Sequence, residues 1–210
     1  MNYLAHLYLA DGTPDSLLGN LMADFLRGDT PDRFSPAVQA GIRLHRLVDA
    51  YTDTHPVVLE CKRCVAPPFR RFAGIITDVA WDHYLARDWH QHAAEGLDEF
   101  TGRVYALLEE RHESLPERLQ RLAPRMIEGD WLRSYGSLDG ACAVFPRAAR
   151  LLTRENCLAE AGPVLRYHCE EWEDAFRRFF PDLVSYVRVA SAELQGAGSR
   201  RENARPEPVT

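Results

Sequence analysis

No apolar run in this chain approaches the ~20 residues that a membrane-spanning helix needs. The opening stretch MNYLAHLYLADG has neither the basic start nor the small-residue cleavage site of a secretory signal. A cytoplasmic location with no membrane partner is therefore expected. Basic residues are in deficit, 25 against 31 acidic, and the net charge of −6 excludes the dominant basic field of a nucleic-acid binder. Cysteines are few and odd in number, five, with Cys61 and Cys64 forming a lone CxxC. No second pair completes a zinc site, so these read as small buried hydrophobes. Alternating strand patterns are absent apart from an ambiguous Tyr3–Leu9 segment. GxxxxGK[ST], GxGxxG and GxSxG are missing too, which argues against P-loop, Rossmann and nucleophile-elbow chemistry.

What is present is helical periodicity. Apolar residues recur at three- and four-residue spacing over Pro14–Arg27, Ser35–Thr52, Pro56–Val65, Pro67–Trp89, Leu97–His112, Leu115–Glu128, Leu138–Leu152 and Gly162–Leu194. Pro and capping residues open several of these segments, and Gly28 follows Arg27 as a helix stop. The expected fold is an all-α, single-domain helical bundle over residues 1–194. Residues 195–210 are polar, carry Gly and Pro, and read as a disordered tail.

Three of the segments carry polar rows amid apolar side chains. Asn20 and Asp24 stand at i, i+4; His45 and Asp49 repeat that spacing, with Asp53 one turn further; Asp78 and Asp82 repeat it again, with His83 adjacent. Residues four apart share a helix face. A single such pair usually faces solvent, but three in consecutive helices favour convergence in a bundle core. Burying carboxylates costs several kcal/mol unless a cation or hydrogen bonds compensate, and a divalent-cation site is one such compensation. Mixed Asp and His donors suit Mn²⁺, Fe²⁺ or Zn²⁺ better than Ca²⁺. His6, in an apolar context, is either a further contributor or a buried, hydrogen-bonded histidine.

His55, before Pro56, reads as a helix-start residue, and His90 and His92 as exposed. Glu170, Glu171, Glu173 and Asp174, with His168, read as a solvated helix face. Trp81, Trp89, Trp131 and Trp172 read as core or groove-lining aromatics. Lys62, Arg63, Arg70 and Arg71 form a local basic cluster, either a solvated helix end or a docking patch for an anionic partner.

Several of these stretches resemble the acyl carrier protein phosphodiesterase family. They are Met1-Asn2-Tyr3-Leu4-Ala5-His6-Leu7, Gly19-Asn20-Leu21-Met22-Ala23-Asp24-Phe25, Gly41-Ile42-Arg43-Leu44-His45-Arg46-Leu47-Val48-Asp49, Thr52-Asp53-Thr54-His55-Pro56 and Asp78-Val79-Ala80-Trp81-Asp82-His83-Tyr84-Leu85. The likeness is dense over residues 1–90 and looser to about residue 190. It implies an HD-domain-like, metal-dependent phosphohydrolase using Mn²⁺, with Fe²⁺ or Mg²⁺ as alternatives. The implied reaction removes 4′-phosphopantetheine from the serine of holo-acyl carrier protein. The resemblance places His45 at an HR position, with Arg46 where HD enzymes carry a ligand, and Asp78 at the last Asp of the HD pattern. Asp24, His45, Asp78 and His6 are then the expected metal ligands. Asp49 or Asp82 would orient water, His83 would act as acid, and Arg46 would neutralise phosphate charge. Asn20, Asp53 and the Lys62, Arg63, Arg70, Arg71 cluster are the expected substrate-binding groups. The competing readings are an HD-like hydrolase of a small nucleotide, such as a guanosine polyphosphate, and a metal-free helical binding protein.

Overall fold

The computed structural model describes residues 1–26, 28 and 33–202, with side chains described through residue 194. Among the described residues there is no strand, and the helices are α1 (Tyr3–Tyr8), α2 (Pro14–Met22), α3 (Pro36–Thr54), α4 (Pro56–Cys64), α5 (Ala73–Arg87) and α6 (Leu97–Glu110). Then follow α7 (Glu117–Glu128), α8 (Trp131–Ser134), α9 (Leu138–Cys142), α10 (Val144–Ala149), α11 (Gly162–Tyr167) and α12 (Cys169–Glu202). The expected all-α class is what the chain adopts. No helix is long and apolar enough to cross a membrane.

Local chemistry explains most boundaries. Thr13 and Ser35 cap α2 and α3, each accepting from a backbone N–H three residues on, and Pro14 and Pro36 take the first helical position. The ambiguous Tyr3–Leu9 segment is helical, with the Asn2 side chain accepting from the Tyr3 N–H. The helix expected to reach Arg27 ends earlier: α2 tightens into a 3₁₀ turn over Ala23–Phe25, Arg27 lies outside the described residues, and Gly28 has φ +76°. The long final segment is broken at His168 into α11 and α12, and Leu138–Leu152 is broken at Ala143. The short α8 has no counterpart among the expected segments. Helix α12 continues past Leu194 to Glu202, so the start of the expected tail is helical, while residues 203–210 lie outside the described residues.

The core is continuous. Trp81 packs against Tyr84, Phe176 and Phe179, and Tyr84 against Phe176, with ring centroids 5.7–6.2 Å apart, joining α5 to α12. His92, expected at the surface, instead packs edge-on against Phe176 and Phe180. Cys61 is buried as expected, Cys64 is exposed, and all five cysteines are free. The crossing of α2 over α3 positions the site. A Cβ on Gly19 would lie 2.3 Å from the Val38 carbonyl oxygen, and one on Gly41 would lie 2.7 Å from that of Ser16. Only glycine permits backbones to meet this closely, and the contact sets the Asn20–Asp24 segment against the His45–Asp49 face.

Candidate metal centre

At this crossing α1 brings its one imidazole onto that of α3. The rings of His6 and His45 stack with centroids 3.6 Å apart and an interplanar angle of 15°. Both are buried, at 1% and 3% exposure. Asp49, one turn beyond His45, places Oδ1 3.1 Å from His6 Nε2 and Oδ2 3.2 Å from His45 Nε2. Asp24, in the 3₁₀ turn after α2, reaches His45 Nε2 at 3.2 Å. Donor atoms of His6, His45 and Asp49 all lie within 4.8 Å of one another.

The electrostatics divide the two imidazoles. Burial alone would lower His45, but contacts with Asp24 and Asp49 prevail and raise it to about 9. Burial and the neighbouring His45 lower His6 to about 4, against the pull of Asp49. Burial would raise Asp49, yet His45, His6 and the α-ammonium of Met1 hold it well below the carboxylate range. That ammonium is itself buried, 3.1 Å from Asp78 Oδ1 and 3.5 Å from Asp49 Oδ1.

The residues fit a cation. His6 Nε2 contacts Asp49 without hydrogen-bond geometry, and His6 Nδ1, His6 Nε2 and His45 Nδ1 are buried with no hydrogen-bond partner. Leaving such groups unsatisfied costs about 1–3 kcal/mol each. Two imidazoles and a carboxylate converging on one point are a donor set for a first-row divalent ion.

The sequence-derived candidates separate into those at the centre and those beside it. His6 and His45 both belong to the converging group. Asp49, expected to orient water, belongs to the converging group of three, whereas Asp78, expected as a ligand, does not; it holds the Met1 ammonium. Asp24 touches His45 but lies outside that group. Asp82 is wholly buried and accepts from the Leu4 N–H at 2.8 Å and the Ala5 N–H at 3.1 Å. These two bonds tie α5 to the start of α1, the helix that carries His6. Burial raises Asp82 to about 7 despite those two hydrogen bonds.

His83 bonds through Nδ1 to the Tyr135 carbonyl at 2.7 Å and does not line the cavity over the site. Arg46 is exposed and donates to the Gly28 carbonyl at 2.7 Å, tying down the segment after Asp24 instead of facing the cavity. Asn20 is fully buried, with Nδ2 donating to the Ser16 carbonyl, and does not line the cavity. Asp53 lines the cavity, paired with Lys62 at 2.7 Å. That pairing removes Lys62 from the basic cluster as a free charge. Arg70 donates from Nε to the Val65 carbonyl, Arg71 lies over the Phe72 ring, and both remain exposed, as does Arg63.

Apart from Trp131, already read as a core or groove-lining aromatic, sequence reasoning missed the opposite wall. A cavity of about 360 Å³ opens over Asp24, Asp49 and Asp78, and its far side is built by Trp131, Tyr135, Val144, Arg147, Ala148, Leu151 and Leu152. The one local signal was an arginine inside the otherwise apolar Val144–Ala149 run.

Comparison with known proteins identifies the family. The family profile described as acyl carrier protein phosphodiesterase matches residues 1–183. An acyl carrier protein phosphodiesterase of Photorhabdus laumondii is 36% identical over 185 residues, covering 88% of this chain and 93% of that protein. One from Pectobacterium atrosepticum is 35% identical over 190 residues, covering 90% and 98%. One from Escherichia coli is 36% identical over 189 residues, covering 88% and 96%. No solved structure shows a significant match. The match spans both the stacked-histidine centre and the wall that faces it, and the chain belongs to the acyl carrier protein phosphodiesterase family.

Proposed function

We propose that this chain is a phosphoric diester hydrolase that removes 4′-phosphopantetheine from holo-acyl carrier protein with the help of a divalent cation, Mn²⁺ being the best match to its donors. The observation that carries the metal requirement is the His6–His45–Asp49 convergence, with imidazole nitrogens buried and unpartnered. Family membership supports the substrate. Neither a nucleotide substrate nor a metal-free binding role has a comparable observation behind it.

In this reading His6, His45 and Asp49 hold the ion. Bound there, it would supply an activated water and neutralise charge on the phosphodiester. Asp24, beside His45 and open to the cavity, is placed to take the proton of the attacking water. Asp82 positions His6 by fixing the start of α1, and Asp78 fixes Asp49 through the shared ammonium. The exposed Arg63, Arg70 and Arg71 would steer an acidic carrier protein toward the cavity.

The test is intact-mass analysis of holo-acyl carrier protein after incubation with the enzyme and Mn²⁺. Loss of one phosphopantetheine, abolished by chelator and by His45→Ala, is the expected result. Unchanged substrate mass with Mn²⁺, Fe²⁺ and Mg²⁺ alike would overturn the reading.

A further inference from the structure

The cavity has two unlike sides. Its floor, from the first residues, α3, α5 and the turn after α2, carries four carboxylates, Asp24, Asp49, Asp53 and Asp78, with the Met1 ammonium between Asp49 and Asp78. Its far wall, from α8, Tyr135, α10 and the residues just after it, is apolar except for Arg147. Among the described residues, Arg147 is the only side-chain cation lining this cavity. Its guanidinium carbon lies 4.8 Å from the centroid of the Trp131 ring, and its Nε donates to the Ala143 carbonyl at 2.9 Å. Those two contacts fix the plane of the group. They use one of its five N–H donors and leave the outer fork unengaged by any carboxylate among the described residues. Burial depresses the guanidinium, and the phenols beside it, Tyr105 and Tyr135, are neutral, since burial raises both. A half-buried arginine without an acidic partner, opposite a cation-binding floor, is a preorganised anion receptor.

The rest of the wall points to what the anion is attached to. Leu151 and Leu152 are 48% and 38% exposed, among the few large apolar side chains left open on the described surface. They line the cavity together with Val144, Ala148 and the Trp131 ring. An uncovered apolar lip continuous with an anion receptor matches a phosphate ester carrying an apolar, branched organic arm. Pantetheine, with its gem-dimethyl group close to the phosphate, has that chemistry.

We infer that Arg147, stacked on Trp131, is a substrate-binding residue that grips the phosphate from the side opposite the metal centre, while Val144, Ala148, Leu151 and Leu152 receive the dimethyl end of the pantetheine arm. This rests on the phosphopantetheine reading above and names the half of the site that selects for it. The floor supplies the chemistry, and the wall supplies affinity and the choice of which ester bond is presented.

The test measures equilibrium binding of 4′-phosphopantetheine, and of pantetheine without its phosphate, to the full chain by calorimetry and Trp fluorescence. Arg147→Met keeps the stem against Trp131 and removes the charge; Arg147→Lys restores a charge without the fork. Arg147→Met should weaken 4′-phosphopantetheine by about tenfold to a hundredfold and leave pantetheine unchanged. Arg147→Lys should recover part of the loss. The Leu151→Ser/Leu152→Ser double variant should weaken both ligands by the same factor. Circular dichroism and the thermal midpoint of each variant report whether it folds. Equal loss of both ligands in Arg147→Met, no loss in it, or no binding of 4′-phosphopantetheine to the wild type would overturn the inference. The mass assay on holo-acyl carrier protein separates this from the function itself. Cleavage without Arg147-dependent binding sinks only the wall, and Arg147-dependent binding without cleavage sinks only the hydrolase reading.

Discussion

Residues 1–90 and residues 97–194 both bury large apolar side chains, but they treat polar groups in opposite ways. His6, Ser16, Asn20, His45, Thr52, Thr77, Asp82 and His83 are buried in the first region, while Thr101 is the one described counterpart in the second. Burying a polar group costs free energy unless it is satisfied, and in the first region several atoms are not: His6 Nδ1 and Nε2, His45 Nδ1 and Asn20 Oδ1. The second region contributes apolar faces that close the core and one wall of the cavity. The contrast teaches where selection for chemistry overrides selection for stability. Most of the buried, unpartnered polar atoms lie in the N-terminal region, and among the described residues the second region holds only the indole Nε1 of Trp172.

The strongest way to break that contrast is to remove a donor from the first region. His45→Ala or Asp49→Ala should lower turnover of holo-acyl carrier protein by at least about 10³-fold with little loss of helix content. Activity within tenfold of wild type would show that the converging trio is not the reaction centre. Matched glycine substitutions sharpen the comparison in stability. Gly41→Ala drives a Cβ to 2.7 Å from a backbone carbonyl and should cost about 1–3 kcal/mol. Gly102→Ala, inside α6 with nothing within 4 Å of its Cβ, should instead gain about 0.5–1 kcal/mol. Denaturant midpoints decide both, and equal signs would deny that the α2–α3 approach is special.

Asp82 gives a pH-dependent version of the same test. Its folded value is raised to about 7 from an ordinary 3.8, so between those limits the folded state binds the extra proton. The stability this group confers is complete below about 4 and drains away as pH rises toward 7. Asp82→Asn should remove that slope and cost about 1–3 kcal/mol through the lost cap on α1; an unaltered pH profile would contradict it. The smallest effect belongs to the surface. Reversing Arg63, Arg70 and Arg71 to Glu should raise KM severalfold at low salt, with the difference fading as ionic strength screens it. A salt dependence identical to wild type would remove the steering role.

Within α2, α3 and α5 the i, i+4 rows were legible because side chains four residues apart share a helix face whatever surrounds the helix. That sufficed to single out Asp24, His45, Asp49 and Asp78. It could not rank them. Asp49 and Asp78 carry equivalent sequence signals, yet one meets two imidazoles and the other meets the α-ammonium of Met1. Asp82 and His83 carry the same kind of signal, and their polar atoms engage the start of α1 and the carbonyl of Tyr135.

By itself the sequence determined the helical class, the caps, and which helix faces carry Asp and His, since all of these follow from a local 3.6-residue period and near-neighbour chemistry. Only the tertiary structure decided that His6 stacks on His45, that Asp49 completes the group, and that Arg147 faces it from about a hundred residues downstream. Those meetings depend on how closely α2 and α3 cross at Gly19 and Gly41 and on where α10 closes over them, and spacing along one chain does not encode the distance between two helices.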